Sequence, residues 1–297
     1  TSASVRRNNG NAPKHPRKKG LGLSLINSYL CAMDIVVIGS GGVAESLVFS
    51  LTQAGVAPRV IVSPTPGHAE RLRDLYAPEC SVLHDLAETP RNADIYLLTV
   101  TDTAIASCAA QMPSTSGVWL HTAACVPVET LTQYHPDSGI FYPLNTFSKG
   151  RPLSWQGIPL FVEHRSEIAA QAIQQLANLL HMEPRPSTLT LRQEIHVAAV
   201  FACNFVNHQW AIASELLKQH QIPREVLHPL IQETLQKAIA LNPRDTQTGP
   251  ALRGDTATLA AHRALLAESR EAIRTLYDVT SQSIWSMYHP ETSLSHE

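Results

Sequence analysis

A chain of 297 residues that is 44% hydrophobic and 16% charged has enough apolar material for one large or two ordinary domains. Its net charge of -2, with no basic stripe past residue 19, excludes a nucleic-acid footprint, and no stretch is long and apolar enough to span a membrane. The five cysteines, at 31, 80, 108, 125 and 203, form no Cys-x-x-Cys pair. That argues against a disulfide framework and a cysteine-held metal, and fits a reducing cytoplasm.

Residues 1–19 are polar and basic, with Arg6, Arg7, Lys14, Arg17, Lys18 and Lys19 among Asn, Gly and Pro. Such a stretch cannot bury a core. Residues 21–32 are mildly apolar and admit a signal-peptide reading, against which stand Asn27, Ser28 and Tyr29 and the absence of a spacer before the next element. The expectation is a disordered extension over residues 1–32, with the folded chain starting at Met33.

The run Ile35-Val36-Val37-Ile38 predicts a buried parallel strand, broken by Gly39-Ser40-Gly41-Gly42-Val43-Ala44 and followed by a helix from Glu45. Gly39 suits the tight turn, Gly41 lets backbone approach a pyrophosphate, and small Ala44 lets helix and strand pack closely. The N–H groups opening that helix can hold the anion. All six residues from Gly39 to Ala44 are therefore candidate dinucleotide contacts.

Further strands are predicted at residues 59–63, 94–100, 118–121, 140–142 and 160–163, with a helix over 67–76 between the first two. Strands alternating with helices predict a parallel, doubly wound sheet. Past Ser166 the strand signal ceases, Pro184 and Pro186 punctuate, and the remainder reads as helices. The expected domains are thus a Rossmann dinucleotide-binding domain over 33–185 and a helical domain over 186–297.

An acid at the end of the second strand normally takes the ribose hydroxyls of NAD. Here Val62-Ser63-Pro64-Thr65-Pro66-Gly67-His68 holds no carboxylate before Glu70. Ser63, Thr65, His68 and Arg71 are instead suited to a 2′-phosphate, so NADP is favoured over NAD. The loops after the next strands should line the nicotinamide side, which nominates Val100, Thr101, His121 and Thr122. Asp102 reads as a helix cap.

Residues 192–217 read as one long helix, and at 100° per residue His196, Val200, Cys203 and Asn207 share a stripe flanked by Asn204. A helix this apolar should be buried, so its polar stripe should face partners or a ligand. The segment Thr248-Gly249-Pro250-Ala251-Leu252-Arg253-Gly254-Asp255 reads as a loop, in which Asp255 caps the next helix and Arg253 is free to hold a carboxylate or phosphate. His262, two turns further on, faces either the same cavity or solvent.

The fingerprint at Gly39 to Ala44, Tyr142-Pro143-Leu144-Asn145-Thr146-Phe147, the run from His196 to Phe205, Pro229-Leu230-Ile231 and the Thr248 to Asp255 segment together carry a likeness. The chain resembles bacterial two-domain oxidoreductases, Bacteroidetes-type members above all, that join a Rossmann-like domain to the helical domain of unknown function 2520. The resemblance spans residues 33–288. It implies a fold like that of 6-phosphogluconate dehydrogenase, pyrroline-5-carboxylate reductase and the deazaflavin-dependent NADP reductases, a bound NADP, and a homodimer formed through helical domains. The β-hydroxyacid dehydrogenases of that group place a Lys, with an Asn one turn later, on the first helix after the cofactor domain. This sequence has no Lys between Lys149 and Lys218.

The resulting expectation is an NADP-dependent oxidoreductase that moves hydride between nicotinamide and a small carbonyl, imine or hydroxyacid compound. His196 is its general acid/base, because an imidazole ordinarily titrates near neutrality. Asn204 and Asn207 orient the substrate and Arg253 holds its anion. The missing Lys leaves a second expectation open, a non-catalytic nucleotide-binding regulator or scaffold on the same fold.

Overall fold

The structure is a computed structural model describing Thr1 and residues 33–290. The extension expected over residues 1–32 and Cys31 lie outside the described residues. The chain divides into two compact units, residues 1–200 and 201–297.

The first unit is built on an eight-stranded sheet. In chain order it runs β1 (Ile35–Ile38), α1 (Gly42–Gln53), β2 (Val60–Val62), α2 (His68–Tyr76), β3 (Ser81–Leu83), β4 (Ile95–Leu98), α3 (Asp102–Gln111), β5 (Val118–His121), α4 (Glu129–Thr132), β6 (Ser138–Pro143), β7 (Leu160–His164), α5 (Glu167–Leu179), β8 (Pro184–Pro186) and α6 (Leu189–Ala199). The strand order is β3-β2-β1-β4-β5-β6-β7-β8. It reverses direction at β1 and β4, which opens the crevice where such sheets take ligands. As expected, this is a doubly wound α/β domain followed by a helical part.

The continuous β-branched run of β1 is buried along its whole length because helices cover both faces of the sheet. Alternate side chains feed opposite cores: Ile35 and Val37 join Leu47, Leu51 and Leu97, while Val36 and Ile38 join Tyr96, Leu98 and Trp119.

Two features differ from the sequence expectation. The sheet is not wholly parallel, since β7 runs antiparallel to β6 in the register Tyr142↔Phe161. β3 and β8 are additional short edge strands. β8 pairs with β7 at Leu160↔Pro184 and Val162↔Pro186; proline survives there because an edge strand needs few of its own N–H donors. Ser166 and Thr188 cap α5 and α6 through their side-chain oxygens.

The second unit is helical, with α7 (Val206–Lys218), α8 (His228–Ala240), the short α9 (Pro250–Arg253), α10 (Thr256–Leu265) and α11 (Glu271–Tyr288). Its buried apolar side chains are Ala251 and Leu259 among the described residues, whereas Leu230, Leu235, Ile239, Leu265 and Val279 are exposed. The predicted long helix is present but not uniform. Between α6 and α7, residues 200–205 form a π-helical turn, so the 100° spacing that put His196, Val200, Cys203 and Asn207 on one stripe does not hold across it. Nor is the helix buried: Val197, Phe201, Phe205 and Trp210 are all exposed.

Candidate active site

The fingerprint turn behaves as its sequence requires. Gly39 has φ 120°, and a Cβ there would stand 2.7 Å from Thr99 Oγ1 and 2.9 Å from its carbonyl oxygen. Only glycine fits. A Cβ on Gly41 would meet nothing within 4 Å, and Gly41, as N-cap of α1, offers that helix no side-chain cap. Open space beside uncapped N–H groups suits a pyrophosphate. Ala44 is fully buried between helix and strand, and Val43 packs against the same core. Gly42 has a different neighbour: its Cβ would lie 2.6 Å from the carbonyl oxygen of Phe147.

That neighbour belongs to a strap, residues 147–155, between β6 and β7. One face of α1 holds it. Gly150 N donates to Glu45 Oε2 at 2.8 Å, Leu153 N to Ser46 Oγ at 3.2 Å, and Trp155 N to Ser50 Oγ at 3.0 Å. Glu45, fully buried, also accepts from Arg71 Nη2 at 2.9 Å and from Tyr76 Oη at 3.0 Å. Burial alone would raise the carboxyl pKa of Glu45. The hydrogen bonds from Arg71, Gly150 and Tyr76 outweigh it, so the net shift is downward and the group is charged.

At the end of β2, Ser63 Oγ lies 2.8 Å from Ser40 Oγ, and Thr65, exposed, directs its N–H to Ser63 Oγ at 3.4 Å. Glu70 turns to His84 Nε2 at 3.0 Å. Ser40, His68, Arg71, Lys149 and Gly150 line a cavity of about 300 Å³ beside this turn.

Further along the same edge, Val100 packs against the second core. Thr101 is the N-cap of α3, and Asp102, expected to be the cap, is the first helical residue instead. Thr122 N donates to Leu98 O at 3.3 Å. His121, expected at the cofactor, instead has a fully buried side chain that accepts from Ala123 N through Nδ1 at 3.2 Å. It closes the strand end and offers no surface to a ligand. Burial pushes its imidazole down to about 4, with Arg192 adding to the fall and a backbone hydrogen bond at Pro127 opposing it. Arg192 is itself fully buried and gives Nη1 to Glu163 Oε2 at 2.6 Å.

His196 does find a partner. Its Nδ1 lies 3.2 Å from Tyr142 Oη, on the residue that nearly ends β6. Tyr142 is 8% exposed; burial, reinforced by the Cys125 and Asp102 charges, pushes its hydroxyl up to about 12. The imidazole itself is exposed. The sequence offered one signal of this pair, since Tyr142 and His196 each belong to a motif that carries the family likeness. Its hydroxyl bond to a helix 54 residues on was not readable. Nothing in the sequence singled out Glu45 or Lys149.

His196 lies in the first unit, and Asn204, Asn207 and Arg253 in the second. Asn204 and Asn207 are exposed. Arg253 Nη2 is 3.9 Å from Asp255 Oδ2. Rather than a loop, the surrounding motif folds as α9, and Asp255 caps α10 by accepting from Thr258 N at 3.1 Å. Thr248, Pro250 and Ala251 line a cavity of about 340 Å³ within the helical unit, together with His262 and Tyr277, whose Nδ1 and Oη are 2.8 Å apart. Arg253 is not part of that lining.

Among the described residues no helix is long and apolar enough to cross a membrane. Residues 34–120 match the family model described as NADP oxidoreductase, coenzyme F420-dependent, and residues 158–284 match the domain of unknown function DUF2520. Among solved structures the chain is similar to a Bacteroides fragilis protein provisionally described as an NADP oxidoreductase, at 34% identity over 86% of this chain and 99% of that one, TM-score 0.81. A Thermotoga maritima protein (17% identity, 86% of this chain and 99% of that one, TM-score 0.60) shares the fold. So does 1-pyrroline-5-carboxylate reductase from Streptococcus pyogenes (12% identity, 86% and 98%, TM-score 0.54). No curated protein matches the chain. With both domain models in tandem, and one-third identity across nearly all of the Bacteroides fragilis chain, this chain belongs to the family that joins an NADP-oxidoreductase domain of the coenzyme F420-dependent type to a DUF2520 domain.

Proposed function

We propose that this protein is an NADP-dependent oxidoreductase acting on a small carbonyl, imine or hydroxyacid compound. The observation that carries it is the Tyr142–His196 pair. It stands at the carboxyl end of β6, on the same edge of the sheet as the Gly39 turn after β1, where α/β folds of this order do their chemistry.

The fingerprint fits a dinucleotide: open space at Gly41, uncapped N–H groups on α1, and no free acid after β2. Gly39, Ser40 and Gly41 would hold the pyrophosphate, Ser63 and Thr65 the adenosine ribose, and the backbone at Val100, Thr101 and Thr122 the nicotinamide side. When bound, the nicotinamide supplies or accepts the hydride. His196 exchanges the accompanying proton with the substrate oxygen or nitrogen. Tyr142 keeps its own proton well above neutral pH and so fixes the imidazole without competing for that role. Asn204, Asn207 and Arg253 belong to the second unit and carry no part of this proposal.

A helical unit with so few buried apolar side chains and so many exposed ones is completed, in this proposal, by a second copy across a two-fold axis. The chemistry is a soluble, small-molecule one, and the unpaired Cys80, Cys108, Cys125 and Cys203 suit the cytoplasm.

The test is loss of reduced-nicotinamide absorbance with NADPH over a panel of small carbonyl and imine compounds, read for the natural chain and His196→Ala. Turnover that His196→Ala abolishes supports the proposal. NADPH binding without turnover of any compound would favour the regulatory alternative.

A further inference from the structure

We propose that Lys149, carried by the strap that α1 clamps, is the residue that selects a 2′-phosphorylated adenine dinucleotide. This rests on the NADP reading above and deepens it: specificity comes from the β6–β7 connection, far in sequence from the end of β2 where such folds usually place it.

The location comes first. The cavity of about 300 Å³ is bounded by Ser40 from the fingerprint turn, by His68 and Arg71 from α2, and by Lys149 and Gly150 from the strap. The cavity adjoins the end of β2, where Ser63 and Ser40 are hydrogen-bonded to each other at 2.8 Å and where folds of this order hold the adenosine ribose.

Charge decides what the cavity accepts. Arg71 is neutralised by Glu45, to which both of its terminal nitrogens donate, at 3.2 and 2.9 Å. Glu70, the acid nearest the end of β2, is occupied by His84. Lys149 has neither an ion pair nor a hydrogen bond among the described residues, and its side chain is exposed. The cavity therefore carries an uncompensated ammonium and no uncompensated carboxylate. A ribose hydroxyl needs no such group; a phosphate dianion does.

Rigidity makes Lys149 a selector and not a passing surface charge. The strap is tied at Gly150, Leu153 and Trp155 to Glu45, Ser46 and Ser50, and the backbone carbonyl of Phe147 lies where a Cβ on Gly42 would stand. Positions 42, 46 and 50 recur every four residues, with 45 beside them, so one helical face is given over to the strap. Glu45 is the positioning residue, since one carboxylate fixes both Arg71 and the backbone next to Lys149.

The experiment is calorimetric titration of the full chain with NADPH, NADH, adenosine 2′,5′-bisphosphate and adenosine 5′-monophosphate, repeated on Lys149→Ala and Lys149→Arg. Loss of a charge-assisted contact should weaken NADPH and the bisphosphate roughly 10- to 100-fold in Lys149→Ala. NADH and the monophosphate should stay within about twofold, and Lys149→Arg should keep most of the preference. A natural chain that prefers NADPH while Lys149→Ala prefers it equally overturns the role of Lys149 and leaves the NADP reading standing. A natural chain with no preference overturns both. Unchanged melting temperature in Lys149→Ala is expected for an exposed side chain and separates the outcome from misfolding.

Discussion

The hydroxyl of Tyr142 and Nδ1 of His196 are 3.2 Å apart, joining the last turns of a buried parallel strand to an exposed imidazole on the helix that closes the first unit. The tyrosine is anchored in the core and the histidine is not. Its Nδ1 is taken up by the tyrosine hydroxyl.

His196→Ala should cut turnover by roughly 10²- to 10⁴-fold, the usual worth of a positioned acid/base, and leave NADPH affinity nearly unchanged. Tyr142→Phe should cost less, because a hydroxyl whose pKa is pushed up to about 12 positions the imidazole and exchanges no proton itself. Steady-state kinetics on any compound found in the screen decide among these. Normal activity in His196→Ala would remove this residue from the mechanism.

Gly41→Val should abolish binding of NADPH and NADH together without a change in melting temperature. A Cβ there has no protein atom within 4 Å beyond its own chain neighbours, and a branched side chain would fill the place left for the pyrophosphate. Retained binding in a folded variant would mean that the dinucleotide does not run over this turn.

The contrast with Glu45 shows how much the sequence disclosed. The β-branched run Ile35 to Ile38 and the small residue at Ala44 are local signals, and both emerged in the fold as read. Glu45 looks, in sequence, like any acid in the first turn of a helix. Its purpose depends on Gly150, 105 residues away, and no periodicity encodes that. β8 escaped for a related reason: Pro184 and Pro186 argue against a strand until an edge is available to take them. The helical stripe failed because six residues, 200–205, wind as a π-turn, which a fixed angular step cannot anticipate.

Glu163→Ala should destabilise the first unit by about 3–5 kcal/mol. Arg192 is fully buried and its Nη1 lies 2.6 Å from Glu163 Oε2, while its Nε and Nη2 have no other partner among the described residues. Removing the carboxylate leaves a buried guanidinium uncompensated. Denaturant melts would measure it, and a loss below about 1 kcal/mol would show that water reaches Arg192.

Light scattering at micromolar concentration should give twice the chain mass. Ile239 is 79% exposed and Leu265 81% exposed in the single chain, values that large aliphatic side chains adopt in number only where a partner covers them. Replacing both with Glu should shift the mass toward the monomer. A monomer in the natural chain would refute the assembly.

The pH dependence of stability has a defined window from His121. Its folded-state imidazole sits at about 4, below the ordinary 6.5, because it is buried. Above pH 6.5 neither the folded nor the unfolded form is protonated, and the site costs nothing. As pH falls through 6.5 the unfolded chain takes a proton that the folded chain refuses, so stability is lost steadily until about pH 4, where the folded form accepts it too. The loss amounts to about 3 kcal/mol across that window. Glu45 acts in the same direction but lower, since a depressed carboxyl loses its contribution only as pH falls below its ordinary range. Chemical denaturation at a series of pH values on the natural chain and on His121→Asn separates the two. The difference between the curves should change by about 3 kcal/mol between pH 7 and pH 4, in favour of the variant at low pH. Parallel curves would mean that His121 is charged or hydrated within the fold, and that the end of β5 is more open than its burial indicates.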